Sequence, residues 1–242
     1  MIKLLFKTTL ITLLLLPVAL ISKAQIGYDF AQYDMGFGVA ANKVYGDAET
    51  VKTTPSAYLN FTYNQTPFVN YIAEFQAGKL EGGDISSQSG RTFKNSYTAL
   101  VFRVQLQAGE FIDYSNSTIK DVFKNVYLST GFGYVINDIR DGNRESKVLL
   151  GYTTPGEDKS NELYIPTRIG YEFKVFNKYD QPSFKIDIGY QLNFDLSDNL
   201  DSFTPVDANG KHIGSNDRFS QITLGFKLAL GGVTSYRKSV HN

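Results

Sequence analysis

Two histidines are the strongest invitation to acid–base chemistry in this chain of 242 residues. His212 lies in "DANGKHIGSND", near Asp207, Ser215 and Asp217. Those are the residue types of a base, a nucleophile and an orienting group, but such a set works only when its members are held within reach of one another. A segment so rich in Gly, Asn and Asp holds none of them in place, so His212 reads as a solvated loop residue. His241 sits in the terminal run. "SDNLDS" and "DANG" carry acids that could meet calcium, yet the D-x-N-x-D-G spacing is absent because Gly210 comes too early. With no cysteine there is no disulfide framework, no thiolate metal site and no lipid-anchored N-terminal cysteine. There is also no phosphate-cradling glycine loop. The sequence therefore names no catalytic residue, no metal site and no cofactor, and it does not read as an enzyme.

Ten other ionisable residues form a pattern of a different kind. Asp34, Glu74, Glu172, Asp187 and Asp195 are balanced by Arg103, Arg168, Lys174, Lys185 and Lys227. Each occupies an alternate position within an otherwise apolar segment. The chemistry open to them is ion pairing, and charges shielded from water persist only if paired, hydrogen-bonded or wet. The whole chain has a net charge of zero, which gives no electrostatic case for binding nucleic acid.

The segments that carry these charges repeat with a period of two, the period of a strand. In "FKIDIGYQLNFD" (184–195), Phe184, Ile186, Ile188, Tyr190, Leu192 and Phe194 alternate with polar residues. The same alternation runs through 34–42, 57–64, 69–78, 98–108, 126–136, 163–175 and 220–230. That makes eight segments of about eight to thirteen residues, an even number of strands. Pro166, inside the sixth, predicts a bulge or a rim, because proline removes a ladder donor. Connections at 43–55, 80–96, 138–161 and 196–218 are long and polar, whereas 64–67 and 177–182 are short turns. The longer connection 109–125 places Ile119, Val122 and Phe123 at helical spacing and predicts a short surface helix.

At the N-terminus, Lys3 and Lys7 precede an apolar run from about Leu10 to Ile21, then the small residues Ser22 and Ala24. This pattern predicts a cleaved secretory signal over residues 1–24. Residues 25–231 then form a single barrel domain, and 232–242 a short tail.

Alternation alone does not say which face is inside. Gly36, Gly38, Gly78, Gly131, Gly133, Gly170, Gly189 and Gly225 all fall on the polar faces. A solvated strand gains nothing from glycine, whereas a narrow eight-stranded interior needs small residues beside large ones. The balanced charges share those faces, and the apolar faces carry almost none. The pattern predicts an all-β fold, an eight-stranded antiparallel transmembrane β-barrel with its apolar faces toward lipid. The alternative is a secreted soluble sandwich or lipocalin-like barrel, which leaves the glycine placement and the loop asymmetry unexplained.

"YLSTGFGY" (127–134), the Gly-Tyr pairs in "RIGYEF" and "DIGYQL", and the final "ITLGFKLAL" resemble the small OmpA/OmpX-like outer-membrane barrels of Gram-negative bacteria. The resemblance covers about residues 26–231. It implies a place in the cell outer membrane, with outer-membrane lipid and the barrel-insertion machinery as partners. It also implies outer loops free to meet an extracellular ligand or surface glycan. Such chains often end on an aromatic residue, and here "YRKSVHN" follows instead; the peptidoglycan-binding domain of full OmpA-type proteins is missing. The expected role is a structural or surface-interaction barrel with a charged, plugged lumen. The alternatives are a narrow porin-like channel and a barrel enzyme acting on outer-membrane lipid.

Overall fold

Period-two alternation becomes a closed ring of eight antiparallel strands: β1 (Tyr28–Tyr45), β2 (Thr53–Asn64), β3 (Val69–Gly83), β4 (Thr92–Gln107), β5 (Val126–Asn143), β6 (Lys159–Phe176), β7 (Pro182–Asp195) and β8 (Arg218–Tyr236). Each strand pairs with its neighbours in sequence, and β1 closes on β8. The computed structural model describes residues 28–46, 48–114, 117–148, 151–197, 200–203 and 216–237. Long connections gather at one end of the barrel. The other end carries the turns at 65–68 and 177–181 and the connection 108–125. That last connection holds a 3₁₀ turn (Ala108–Glu110) and one short helix, α1 (Thr118–Phe123), whose cap Ser117 accepts from the Lys120 N–H.

The stagger of the wall follows from its register. From Leu230 on β8, successive partners are Tyr33, Tyr63, Tyr71, Val104, Thr130, Thr167 and Leu192. Leu192 pairs back onto β8 at Ser220, ten residues from the start (230 to 220). Strand number and stagger together set the barrel's width, and eight strands leave an interior that side chains can fill.

Two boundaries differ from the sequence expectation. Gly232 to Tyr236, expected as part of a tail, extend β8, and Tyr28 pairs with Tyr236. Ladder hydrogen bonds need no apolar alternation, so a strand can outrun the lipid-facing stretch that marks it in sequence. Around Pro166 the register holds: Thr130 pairs with Thr167 and Gly133 with Tyr164, without a shift. The missing N–H interrupts the β5 ladder there and produces no bulge.

Around the middle of the barrel the two faces differ sharply in character. Phe37, Leu59, Phe75, Leu100, Phe132, Ile188 and Leu224 are exposed on the outer wall. All ten charges of the pattern are buried on the inner one. Near the short-turn end, outward Tyr33, Tyr63 and Tyr71 lie ring to ring at 5.7 and 6.2 Å, the kind of aromatic girdle that marks a membrane interface.

Candidate functional site

Eight of the ten charges form one continuous chain of alternating sign across the lumen. It begins at Asp34 on β1, whose Oδ2 meets Lys185 Nζ at 2.7 Å. Lys185 reaches Glu172 Oε1 at 3.7 Å, and the other oxygen of Glu172 meets Lys227 Nζ at 2.7 Å. Lys227 lies 3.5 Å from Asp187 Oδ2, and Asp187 Oδ1 accepts from Arg168. Arg168 lies 3.9 Å from Glu74 Oε2, where Arg103 also ends. Four acids and four bases cancel, so the low-dielectric interior holds no net charge from this chain. Neutral groups take up part of the remaining capacity: Asn64 donates to Asp34 (2.8 Å), Tyr127 to Asp187 (3.1 Å), Gln107 to Glu172 (3.1 Å), and Arg103 to Gln191 (3.3 Å).

The two other expected members sit apart from this chain. Lys174 donates to the Pro67 carbonyl and to Gln107 Oε1, both at 2.6 Å, and its ammonium lies 4.7 Å from the Phe68 ring centroid. It closes the short-turn end. Asp195 lies at the long-loop end, where Ser197 N–H and hydroxyl donate to its Oδ1 at 3.1 Å each. Asp195 is registered opposite Tyr164, two residues from the equally buried Glu162, and among the described residues no salt bridge involves either carboxyl. Glu162 was absent from the sequence pattern, yet carrying the sixth alternation one residue further toward the N-terminus puts it on the polar face.

Tyrosines fill the lumen beside the charges, and the inward glycines make room for them. A Cβ on Gly38 would stand 2.3 Å from the Tyr58 ring, and one on Gly133 2.3 Å from the Tyr164 ring. At Gly170 it would meet the Tyr127 hydroxyl at 2.4 Å. Above the charge chain, Gln221 donates to Asn42 (2.9 Å), Tyr97 (3.2 Å) and Gln76 (3.3 Å), while Gln191 donates to Gln221 (2.9 Å).

Toward the long-loop end the lumen turns apolar, a feature the sequence pattern did not reveal. Leu80, Phe93, Val101, Val135, Ile139 and Phe219 form a buried cluster with Leu200 and Phe203 from the last outer connection. Asn95 holds that connection in place by donating to the Leu200 carbonyl at 3.0 Å. The cluster was hidden because Leu80, Phe93, Ile139 and Phe219 lie just outside the segments in which alternation is evident.

A protein that buries eight paired charges and exposes an unbroken apolar wall has its faces reversed for water. Only hydrocarbon around the wall makes that arrangement favourable. The protein is a transmembrane β-barrel of the outer-membrane type. No helix among the described residues is long and apolar enough to cross a membrane, and the barrel crosses with strands, whose ladder leaves no edge unpaired. No protein-family model matches the chain, and no curated protein matches it. Among solved structures, the barrel is similar to Neisserial surface protein A, at 12% identity and a TM-score of 0.43, over 83% of this chain and 98% of that one. It is also similar to Ail, the attachment invasion locus protein of Yersinia pestis, in a complex with the heparin analogue sucrose octasulfate (13% identity, TM-score 0.44, 82% and 98% covered). A third is the outer membrane protein OprG from Pseudomonas aeruginosa (13%, TM-score 0.33, 85% and 99%).

Above the apolar cluster, the outer connections enclose a cleft of about 540 Å³. Arg140, Asn143, Arg144, Thr153, Asp158 and Ser202 contribute polar groups to it, and Phe93 and Phe203 form its floor. Arg144 donates to the Gly156 carbonyl (2.9 Å) and pairs with Asp158; Asn143 donates to the Gly90 carbonyl (2.9 Å). Nearby, Ser86 N–H and hydroxyl both donate to Asp84 Oδ1 at 2.8 Å and hold that exposed carboxyl below its ordinary range. His212 and His241 lie outside the described residues, as do residues 1–24.

Proposed function

We propose that this protein is a non-conducting barrel of the cell outer membrane whose outer connections bind a partner or a surface glycan. The observation that carries this reading is the double seal of the lumen. The alternating charge chain closes the lower half, and the apolar cluster with Leu200 and Phe203 closes the upper half. Solute passage would require breaking these buried ion pairs, at a cost of several kcal/mol per separated charge. Among the described residues the outer cleft remains open to ligand: paired arginines and acids, amides and hydroxyls line it beside aromatic rings, a chemistry suited to sugar hydroxyls. In this reading residues 1–24 direct export and are removed, the barrel-insertion machinery assembles residues 25–236, and no cofactor takes part.

Planar-bilayer recording tests the seal. The purified chain should insert without stepwise conductance, and discrete channel openings would overturn the reading in favour of a pore. For the cleft, binding to immobilised acidic and neutral glycans should fall in the Arg140→Ala/Arg144→Ala variant. Binding unaffected by that change would remove the cleft as the site.

A further inference from the structure

The connection between β4 and β5 is the longest at the short-turn end. Gly109 N–H donates to the Lys124 carbonyl at 2.8 Å, which cinches its two ends together. Thr66 donates to Glu110 at 2.9 Å and anchors it to the neighbouring turn. Lys124 turns inward, pairs with Asp121 at 2.6 Å, and lies over the rings of Tyr114 (4.9 Å) and Tyr28 (5.2 Å). The polar side of α1 is thus committed to the barrel.

Among the described residues nothing covers the opposite side. Ile119 and Phe123, four residues apart and so on one face of α1, are 71% and 56% exposed. Lys120 beside them is exposed as well. The position of this face relative to the wall is fixed by Tyr171. Tyr171 belongs to the outward face of β6, packs its ring at a tilt against outward Phe173 at 4.5 Å, and donates its hydroxyl to the Val122 carbonyl at 2.9 Å. The apolar face of α1 is therefore continuous with the lipid-facing wall at the level of its aromatic residues.

We infer that this connection is an interfacial anchor that seats Ile119 and Phe123 in the periplasmic leaflet beside the β5–β6 wall. Short-turn ends of outer-membrane barrels face the periplasm. An apolar helix face with a lysine at its margin settles at the boundary between headgroups and acyl chains, with the ammonium among lipid phosphates. The occupant is phospholipid; a second copy of the chain is the competing occupant that the experiment distinguishes. The anchor holds the barrel at a fixed depth and rotation on its β5–β6 side.

The chain contains no tryptophan, so each introduced tryptophan reports alone. Full-length Ile119→Trp and Phe123→Trp variants, folded into phosphatidylethanolamine/phosphatidylglycerol vesicles, should show blue-shifted emission. Acyl-brominated lipid should quench them and aqueous iodide should not. Ile85→Trp, in an outer connection, supplies the water-exposed reference, and Leu224→Trp supplies the wall. Emission and iodide quenching at 119 and 123 that match Ile85→Trp would overturn the anchor. Iodide protection without bromolipid quenching, varying with the protein-to-lipid ratio, would overturn it in favour of contact between copies. Failure of bromolipid to quench Leu224→Trp would instead sink the transmembrane reading on which the anchor rests.

Discussion

Lys185 and Lys227 are registered neighbours on β7 and β8, yet both ammonium groups end on the same carboxylate, Glu172, at 3.7 and 2.7 Å. Like charges directly opposite on a sheet repel. The pattern recurs one pair along the wall, where Glu172 stands opposite Asp187. Like therefore sits beside like along the ladder, and opposites meet diagonally and across the lumen. Each charge in the chain depends on a partner that another strand supplies.

Glu172→Gln should be among the most damaging single changes. It leaves both lysines short of their shared counter-charge in a buried site, which costs about 3–5 kcal/mol. Urea unfolding of the barrel in vesicles would measure this, and a loss below about 1 kcal/mol would show that water reaches and screens the lysines.

Glu162→Gln should behave in the opposite way. Glu162 and Asp195 are two buried carboxyls on diagonally neighbouring inward positions of β6 and β7, without a basic partner among the described residues. Neutralising one removes repulsion, so stability at neutral pH should hold or rise by about 1 kcal/mol. Marked destabilisation at neutral pH would mean that the charged pair is itself compensated.

Gly38→Val should destabilise by about 1–3 kcal/mol through overpacking against Tyr58. Pairing it with Tyr58→Ala should recover part of that loss, since the two residues compete for one volume. A double-mutant cycle in which the two changes simply add would refute the assignment of Gly38 as the space that Tyr58 fills.

Leu224→Arg places a charge on the outer wall near the middle of β8. If hydrocarbon surrounds that position, folding into vesicles should lose about 2–4 kcal/mol, seen as reduced heat-modifiable mobility on gels. Normal folding of this variant would contradict lipid contact at Leu224.

Much of this architecture was legible from residues alone. Alternation set the eight strands and sorted Lys185 and Asp187 from Ile186 and Ile188. Glycine placement marked the inner face, because only there does a missing side chain make room for Tyr58, Tyr127 or Tyr164. The helix at 118–123 followed from the spacing of Ile119, Val122 and Phe123. Partners within the lumen were not legible. Asp34 and Lys185 are 151 residues apart, and no local pattern links them.

The sequence by itself determined what each face of each strand is, because the pleat repeats every two residues and needs no distant information. Tertiary structure alone decided which charges meet, that Asp195 lies near Glu162 and outside the charge chain, and that Leu200 and Phe203 seal the upper lumen. Those contacts depend on register and stagger around a closed ring, quantities that belong to the whole barrel and to none of its strands.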